Sequence, residues 1–458
     1  MKKLVETIRN IWKIDELKNR ILTTLGFLLV YRLGSFVVLP GVNPNYLAGL
    51  ESQTSSGVMG LLDMFSGGAF SNASILGLGI MPYISASIVV QLLGMVIPYF
   101  QRLQRDGESG RNKINQITRL LTVVILLLQA PAYIANLYYQ LPGEAFSMDR
   151  TFFTVASTII LTAGTMFVMW LGEKITDRGI GNGISLIIMV GIIARLPHSL
   201  VAEFANKLSV NNQDGGLVAL LIEFVVLFFV FVGTIALVQA TRRIPVQYAK
   251  RIEGNKQYGG VRQYIPLKIN AANVMPIIFA QALMFLPVTF LGFVNQEGSQ
   301  GFAATFSDFT GFWYNLVFAI LIIVFTYFYT ALIMNPQQMA DDMKKNNGYI
   351  PGVKPGKKTA EYIDTIMSRI TLPGSVMLAI VAILPAFATI AGVEASFAQF
   401  YGGTSLLILV GVVLDTLQQI ESHLLMRHYD GLMKSGRIIL RTFLVYKTED
   451  RDRQEHQR

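Results

Sequence analysis

Ten windows of mostly apolar residues recur along this chain, at roughly 21–39, 75–97, 118–139, 152–172, 184–203, 216–238, 272–294, 312–334, 370–391 and 403–424. Each approaches the length of about 20 residues that spans a lipid hydrocarbon core. Within lipid every backbone polar group needs an internal partner, which long apolar segments obtain only as helices. The expected fold is therefore an all-α integral membrane protein with ten transmembrane helices. Composition agrees, since 15% of the 458 residues are charged, against about 25% in an ordinary soluble domain. The chain has no Cys, which removes a disulfide framework and a thiolate metal site.

Charge sets the expected orientation. The segments 1–20, 98–119, 173–183, 240–270, 336–369 and 425–458 hold 34 of the 38 Lys and Arg residues. The alternate connections hold Arg150 and Lys207, and Arg32 and Arg195 fall inside helices. Such an asymmetry assigns both termini and the large loops to the cytoplasm. Residues 1–20 mix six basic with three acidic residues and are followed by no small-residue cleavage site, so they read as part of the mature protein rather than a signal.

Ten helices divide into two fives, 21–205 and 206–425, followed by a tail at 426–458. The second helix of each half carries a Met-Pro step, Met81-Pro82 and Met275-Pro276, 194 residues apart. Because five is odd, the second half enters from the opposite face, which makes the repeat inverted and places a functional path between the halves. The stretch from Met64 to Gln91 supplies a candidate for that path. It carries no charge, opening in Gly, Ser and Asn and ending in an apolar helix. A Gly/Ser segment at membrane depth must be enclosed by protein or line a water-filled cavity.

Catalytic signatures fail on spacing. Gly352 to Thr359 imitates a phosphate loop but has three residues between its glycines and no preceding strand; Gly179, Gly181 and Gly183 miss the dinucleotide spacing; His423 and His428 lack the helical zinc pattern. The chain is expected to be no enzyme, with no cofactor and no metal. Ionisable residues within the windows are Arg32, Glu223, Asp415 and Glu421, with Arg195 near a helix end, and pairing or snorkelling is favoured over a proton relay. Ile80 and Ile84 are four apart, as are Ile184 and Ile188, so each pair shares a helix face; on spacing alone, lipid contact or packing is the ordinary reading. The loop 240–270 mixes seven basic residues with Tyr248, Tyr258 and Tyr264, and 336–369 adds six more. That excess over what orientation needs suits an acidic protein, RNA phosphates or anionic lipids.

Several long segments resemble the SecY family, the channel subunits of the bacterial Sec protein translocase. They include YRLGSFVVLPGV at 31–42, MFSGGAFSNASILGLGIMPYISASIVVQLL at 64–93, RDGESGRNKINQITR at 105–119 and GTMFVMWLGEKITDRGIGNGIS at 164–185. RRIPVQYAKR, PLKINAANVMP, FYTALIMNP and the run Gln399 to Ile408 belong with them. The resemblance implies two inverted five-helix halves around a central pore in the bacterial cytoplasmic (inner) membrane. Unfolded secretory chains would cross it, and membrane-protein helices would leave it sideways. It implies a pore ring of Ile80, Ile84, Ile184, Ile188, Ile278 and Ile408. A plug would occupy about 57–74, centred on Met64, Phe65, Ser66, Gly67, Gly68, Ala69, Phe70, Ser71 and Asn72. Gln91, Thr122 and Gln281 are candidates for polar contacts across a lateral gate between helices two and three and helices seven and eight. Arg242, Arg243, Lys250, Arg251 and Lys354 are implied in docking the ribosome or the SecA ATPase; at Lys354 the family usually has arginine. SecE and SecG small subunits, signal peptides and nascent chains complete the implied partners. The alternatives left by the residues are a secondary transporter with the same repeat and an intramembrane enzyme.

Overall fold

The structure is a computed structural model describing residues 12, 14–47, 63–208, 216–248, 251–253, 256–258, 262–281, 283–284 and 310–425. Each expected window carries a helix, the seventh being described only to residue 284. In chain order the first six are α1 (Asp15–Gly34), α2 (Met81–Val96), α3 (Pro98–Arg105), α4 (Gly107–Gln140), α5 (Arg150–Arg178) and α6 (Gly183–Leu208). Then come α7 (Leu217–Gln239), α8 (275–281 and 283–284), α9 (Phe312–Ile333), α10 (Pro336–Lys345), α11 (Lys357–Ile390), α12 (Ala395–Ala398) and α13 (Gly403–Leu425). Among the described residues seven helices are long and apolar enough to cross a membrane. The pair α2 and α3, broken before Pro98, passes the same test across a bend; a residue preceding proline is pushed out of the helical region.

Two windows are displaced for local reasons. The second is helical only from Met81, because Gly77 and Gly79 lead into it through turns and Gly79 has φ +55°. Pro82 sits in the first helical turn, where its missing N–H costs nothing. The first ends at Gly34 rather than near 39. Residues 37–39 instead pair with the exit of the Gly/Ser stretch, Leu39 N donating to Ala73 O at 2.9 Å and Ile75 N to Val37 O at 2.9 Å.

The long basic loops are structured. Strand β1 (Thr241–Tyr248) pairs antiparallel with β4 (Arg262–Lys268), and a small hairpin of β2 (Arg251–Glu253) and β3 (Lys256–Tyr258) lies between them in sequence. The second loop adds β5 (Gly348–Tyr349) to the other edge of β1, giving the order β4-β1-β5. Ile244 and Val246 alternate inward onto Met343, Ile350, Ile363 and Met367. Much of 336–369 is helical, through α10 and the start of α11.

Candidate functional site

A cavity of about 840 Å³ runs into the helices from the side of the basic sheet, with Thr241 and Lys268 on its wall. Ile84 from α2, Ile184 and Ile188 from α6, Ile278 from α8 and Ile408 from α13 all line it. Ile80, only 2% exposed, belongs to the same apolar cluster as Ile188 and Ile408. Helix spacing alone did not separate these residues from lipid-facing ones; their convergence from four helices does. The rest of the wall mixes apolar residues with polar ones, including Ser87, Gln91, Asn182, Asn270 and Asp415. Asp415 is exposed on that wall rather than buried at depth.

Met64, Phe65 and Ala69 pack in the cluster that holds Ile80, Ile188 and Ile408, so the Gly/Ser stretch closes against the isoleucines. Its residues 63–71 are all buried; 57–62 lie outside the described residues. The backbone here is too irregular to satisfy itself, and donors from neighbouring helices reach in. Tyr31 donates to Ser66 O at 3.1 Å, Tyr133 to Phe70 O at 2.7 Å and Arg32 to Gly67 O at 2.5 Å. Asp63 accepts from Ser71 N at 2.8 Å and pairs with Arg195, which also donates to the Ser71 hydroxyl. Arg195 of α6, ion-paired with Asp63, and Arg32 of α1, hydrogen-bonded to a backbone carbonyl, thus grip one segment. Toward α13, among the described residues, the segment offers packing and a Ser405 hydroxyl contact to Met64 S at 3.2 Å. The stretch from Met64 onward carries no charge, but Asp63, its immediate neighbour, supplies the one that matters.

Two glycines allow this approach. Gly67 has φ +67°, and a Cβ there would lie 2.8 Å from Gly191 Cα of α6. A Cβ on Gly191 would lie 2.9 Å from Phe65 O. Backbone meets backbone at this point.

At the side of the cavity α2 meets α8 and α9. Ile88, Phe279 and Tyr329 pack together, and the Tyr329 hydroxyl donates to Gln91 Oε1. Of the expected seam residues, Gln91 therefore bonds across. Thr122 does not: it is buried, and its hydroxyl donates at 2.7 Å to Thr118 O of its own helix, the bond a helical threonine makes to the preceding turn. Gln281 is half-buried on α8. Tyr329, the partner of Gln91, carried no signal in the sequence beyond a tyrosine in an apolar helix.

Arg242 and Arg243 are exposed on β1, opposite Leu267 and Pro266 of β4. Lys354 is exposed just beyond β5. Sheet pairing thus brings residues of the two basic loops onto one platform. Arg251 lies on β2, and Lys250 is outside the described residues.

In sequence and in fold the chain is similar to known proteins. The family profile described as SecY matches residues 74–417. The chain is 40% identical over 452 residues to the protein translocase subunit SecY of Chlamydia muridarum, covering 94% of this chain and 98% of that one. In fold it is similar to a solved protein-conducting channel, with TM-score 0.61 at 17% identity over 88% of this chain and 92% of the other. It is also similar to Sec61 in the canine ribosome-channel complex from the endoplasmic reticulum, with TM-score 0.57 at 16% identity over 88% and 92%.

Proposed function

This chain belongs to the SecY family, and on that premise we propose that it forms the protein-conducting channel of a translocase, threading unfolded polypeptides through the cavity between its helices. Its relatives are translocase subunits and its fold is that of a protein-conducting channel, a multi-pass membrane protein. The observation that carries the reading is the convergence of Ile84, Ile184, Ile188, Ile278 and Ile408 on one cavity, with Ile80 beside them and an uncharged buried segment beneath. A narrow apolar collar dewets and blocks ions, and it makes no directed bond that would hold a passing chain. Residues 57–74 act as the plug that closes it.

The seam at Gln91 and Tyr329 serves as the lateral gate, through which an apolar segment leaves because lipid is its better solvent. Arg242, Arg243, Lys250, Arg251 and Lys354 offer positive charge to a ribosome, to the SecA ATPase or to anionic lipid. SecE and SecG fit as small membrane subunits, and the Lys/Arg asymmetry supports cytoplasmic termini in a bacterial inner membrane. The channel itself catalyses no covalent step and needs no cofactor; the driving force comes from its partners or from the membrane potential.

The chain's lack of Cys gives a direct test. A single cysteine at Ile84 or Ile188 should form a disulfide with a cysteine in a stalled secretory chain. No adduct under conditions where translocation proceeds would reject the pore path. A transporter reading would instead require uptake that is lost in Asp415→Asn, a change that a polypeptide channel tolerates.

A further inference from the structure

The connection between α11 and α13 forms an aromatic ledge beside the buried segment, and α6 and α7 pin that ledge at both ends. It contains the four-residue helix α12 and a single 3-10 turn at Gln399–Tyr401. Its own backbone bonds are local, Phe397 N and Ala398 N both donating to Glu394 O at 2.9 and 2.8 Å. So short a helix has too few internal bonds to hold itself.

The first pin comes from α6, where Glu203 and Lys207 lie one turn apart and reach the two sides of a single turn. Lys207 Nζ donates to Gly392 O at 2.9 Å, and Glu203 Oε2 accepts from Glu394 N at 2.7 Å. Lys207 is anchored in turn by Glu223 of α7, at 2.9 Å. The second pin comes from α7: the Tyr401 hydroxyl donates to Glu223 O at 2.9 Å. Glu203 is 2% exposed, Lys207 8% and Tyr401 3%, so water does not compete for these bonds.

Between the pins stand Phe397 and Phe400, with Phe224 of α7 packed on Phe397. Both join Tyr401 in the buried cluster that also holds Met64, Phe65 and Ala69 of the buried segment. Toward α1 and α6 that segment is held by charge and hydrogen bonds, whereas within this cluster it is held by apolar packing. Packing is sensitive to position, since a gap of about 0.5–1 Å forfeits about a quarter to a half of a dispersion contact. We propose that Glu203 and Lys207 are positioning residues for closure: with Glu223 they fix residues 392–401 where Phe397, Phe400 and Tyr401 complete the seat of the buried segment. The proposal rests on the reading of that segment as the closure of a channel. A merely stabilising cluster would loosen the whole fold when broken; a positioning cluster loosens the seat.

The test uses the full-length chain in vesicles, where its lack of Cys lets one introduced thiol report alone. Ser66 is 2% exposed, so in a Ser66→Cys background the rate of reaction with a maleimide reads release of the segment. Glu203→Met removes the acceptor for Glu394 N and leaves the Lys207–Glu223 pair in place. The thiol should then react about fivefold faster, the ratio that one net hydrogen bond sets. Glu203→Gln keeps an acceptor oxygen and should keep the parent's rate. Lys207→Met should accelerate the reaction further, and where that variant does not fold the two Glu203 variants decide. In a Thr122→Cys background, at a buried site on α4 outside the cluster, Glu203→Met should leave the rate unchanged. A parental rate at position 66 in Glu203→Met would overturn the positioning role, as would equal acceleration at positions 66 and 122, or Glu203→Gln reacting as fast as Glu203→Met. Faster reaction at position 66 without a rise in ion conductance across planar bilayers would leave the ledge its role and count against the channel reading instead.

Discussion

Tyr329 donates its hydroxyl hydrogen to Gln91 Oε1, and among the described residues this is the side-chain hydrogen bond that joins α2 to α9. Around it the seam is apolar, with Ile88 and Phe279 in contact. Tyr329→Phe removes the hydroxyl and keeps the ring, so it tests the bond without opening a void. A neutral hydrogen bond contributes about 1 kcal/mol, or about fivefold in an opening equilibrium. The variant should translocate precursors with shortened apolar signals faster than the parent does. Equal rates for such precursors in reconstituted vesicles would remove this contact from gating.

Asp63 and Arg195 tie the buried segment to α6, with side chains 12% and 19% exposed. Removing one member of a buried pair leaves the other without compensation, at a cost of about 3–5 kcal/mol when burial is complete. Residual exposure places this pair toward the lower end. On the proposed function, Asp63→Asn or Arg195→Gln should therefore loosen the buried segment and raise ion conductance in planar bilayers. Combining the two should leak less than the singles sum to, since both remove the same tie between Asp63 and Arg195. Single variants as tight as the parent would show that the pair does not hold the segment closed.

The helices were legible because a membrane span writes its signal over about 20 residues, and no local detail erases it. What escaped were features set by one residue's partner. Glu203 and Lys207 look like an ordinary helix end until Glu223 and the turn at Gly392 are brought against them. Thr122 looked like a seam donor, but its own helix offers a nearer carbonyl. Ile80 was expected one helical turn below Ile84 and instead caps that helix, still accepting from Ile84 N at 3.1 Å. The sheet in the first basic loop could have been read: Ile244 and Val246 alternate with polar or exposed neighbours in strand fashion. Its union with Gly348 and Tyr349, a hundred residues on, could not.

That union makes a prediction about the basic platform. Arg242 and Arg243 are exposed on a strand held from both edges, so charge reversal should leave the fold intact. Arg242→Glu with Arg243→Glu should weaken binding to ribosomes or to SecA, most at low salt where screening is least. Lys354→Arg should tighten the same interaction, since a guanidinium offers a carboxylate or phosphate two parallel donors. Co-sedimentation across a salt series reads both; unchanged affinity of the double variant at low salt would discard the docking role.

Gly191 gives the sharpest separation between fold and closure. It lies inside α6, where alanine is the better helix former by up to about 1 kcal/mol, so the helix alone should gain from Gly191→Ala. The new Cβ would stand 2.9 Å from Phe65 O and 3.2 Å from Gly67 N, and backbone atoms cannot rotate aside as a side chain can. The segment must therefore lift away from α6, carrying Gly67 off Arg32 and Ser71 off Arg195. The expected variant is normally folded by circular dichroism yet leaky to ions, and in a Ser66→Cys background its buried segment should react faster with a thiol reagent than the same cysteine does beside Gly191. Gly26→Ala is the control, because a Cβ on that α1 glycine meets nothing within 4 Å. Should Gly191→Ala seal as tightly as Gly26→Ala, the close backbone contact between Gly67 and Gly191 would have no part in holding the channel shut.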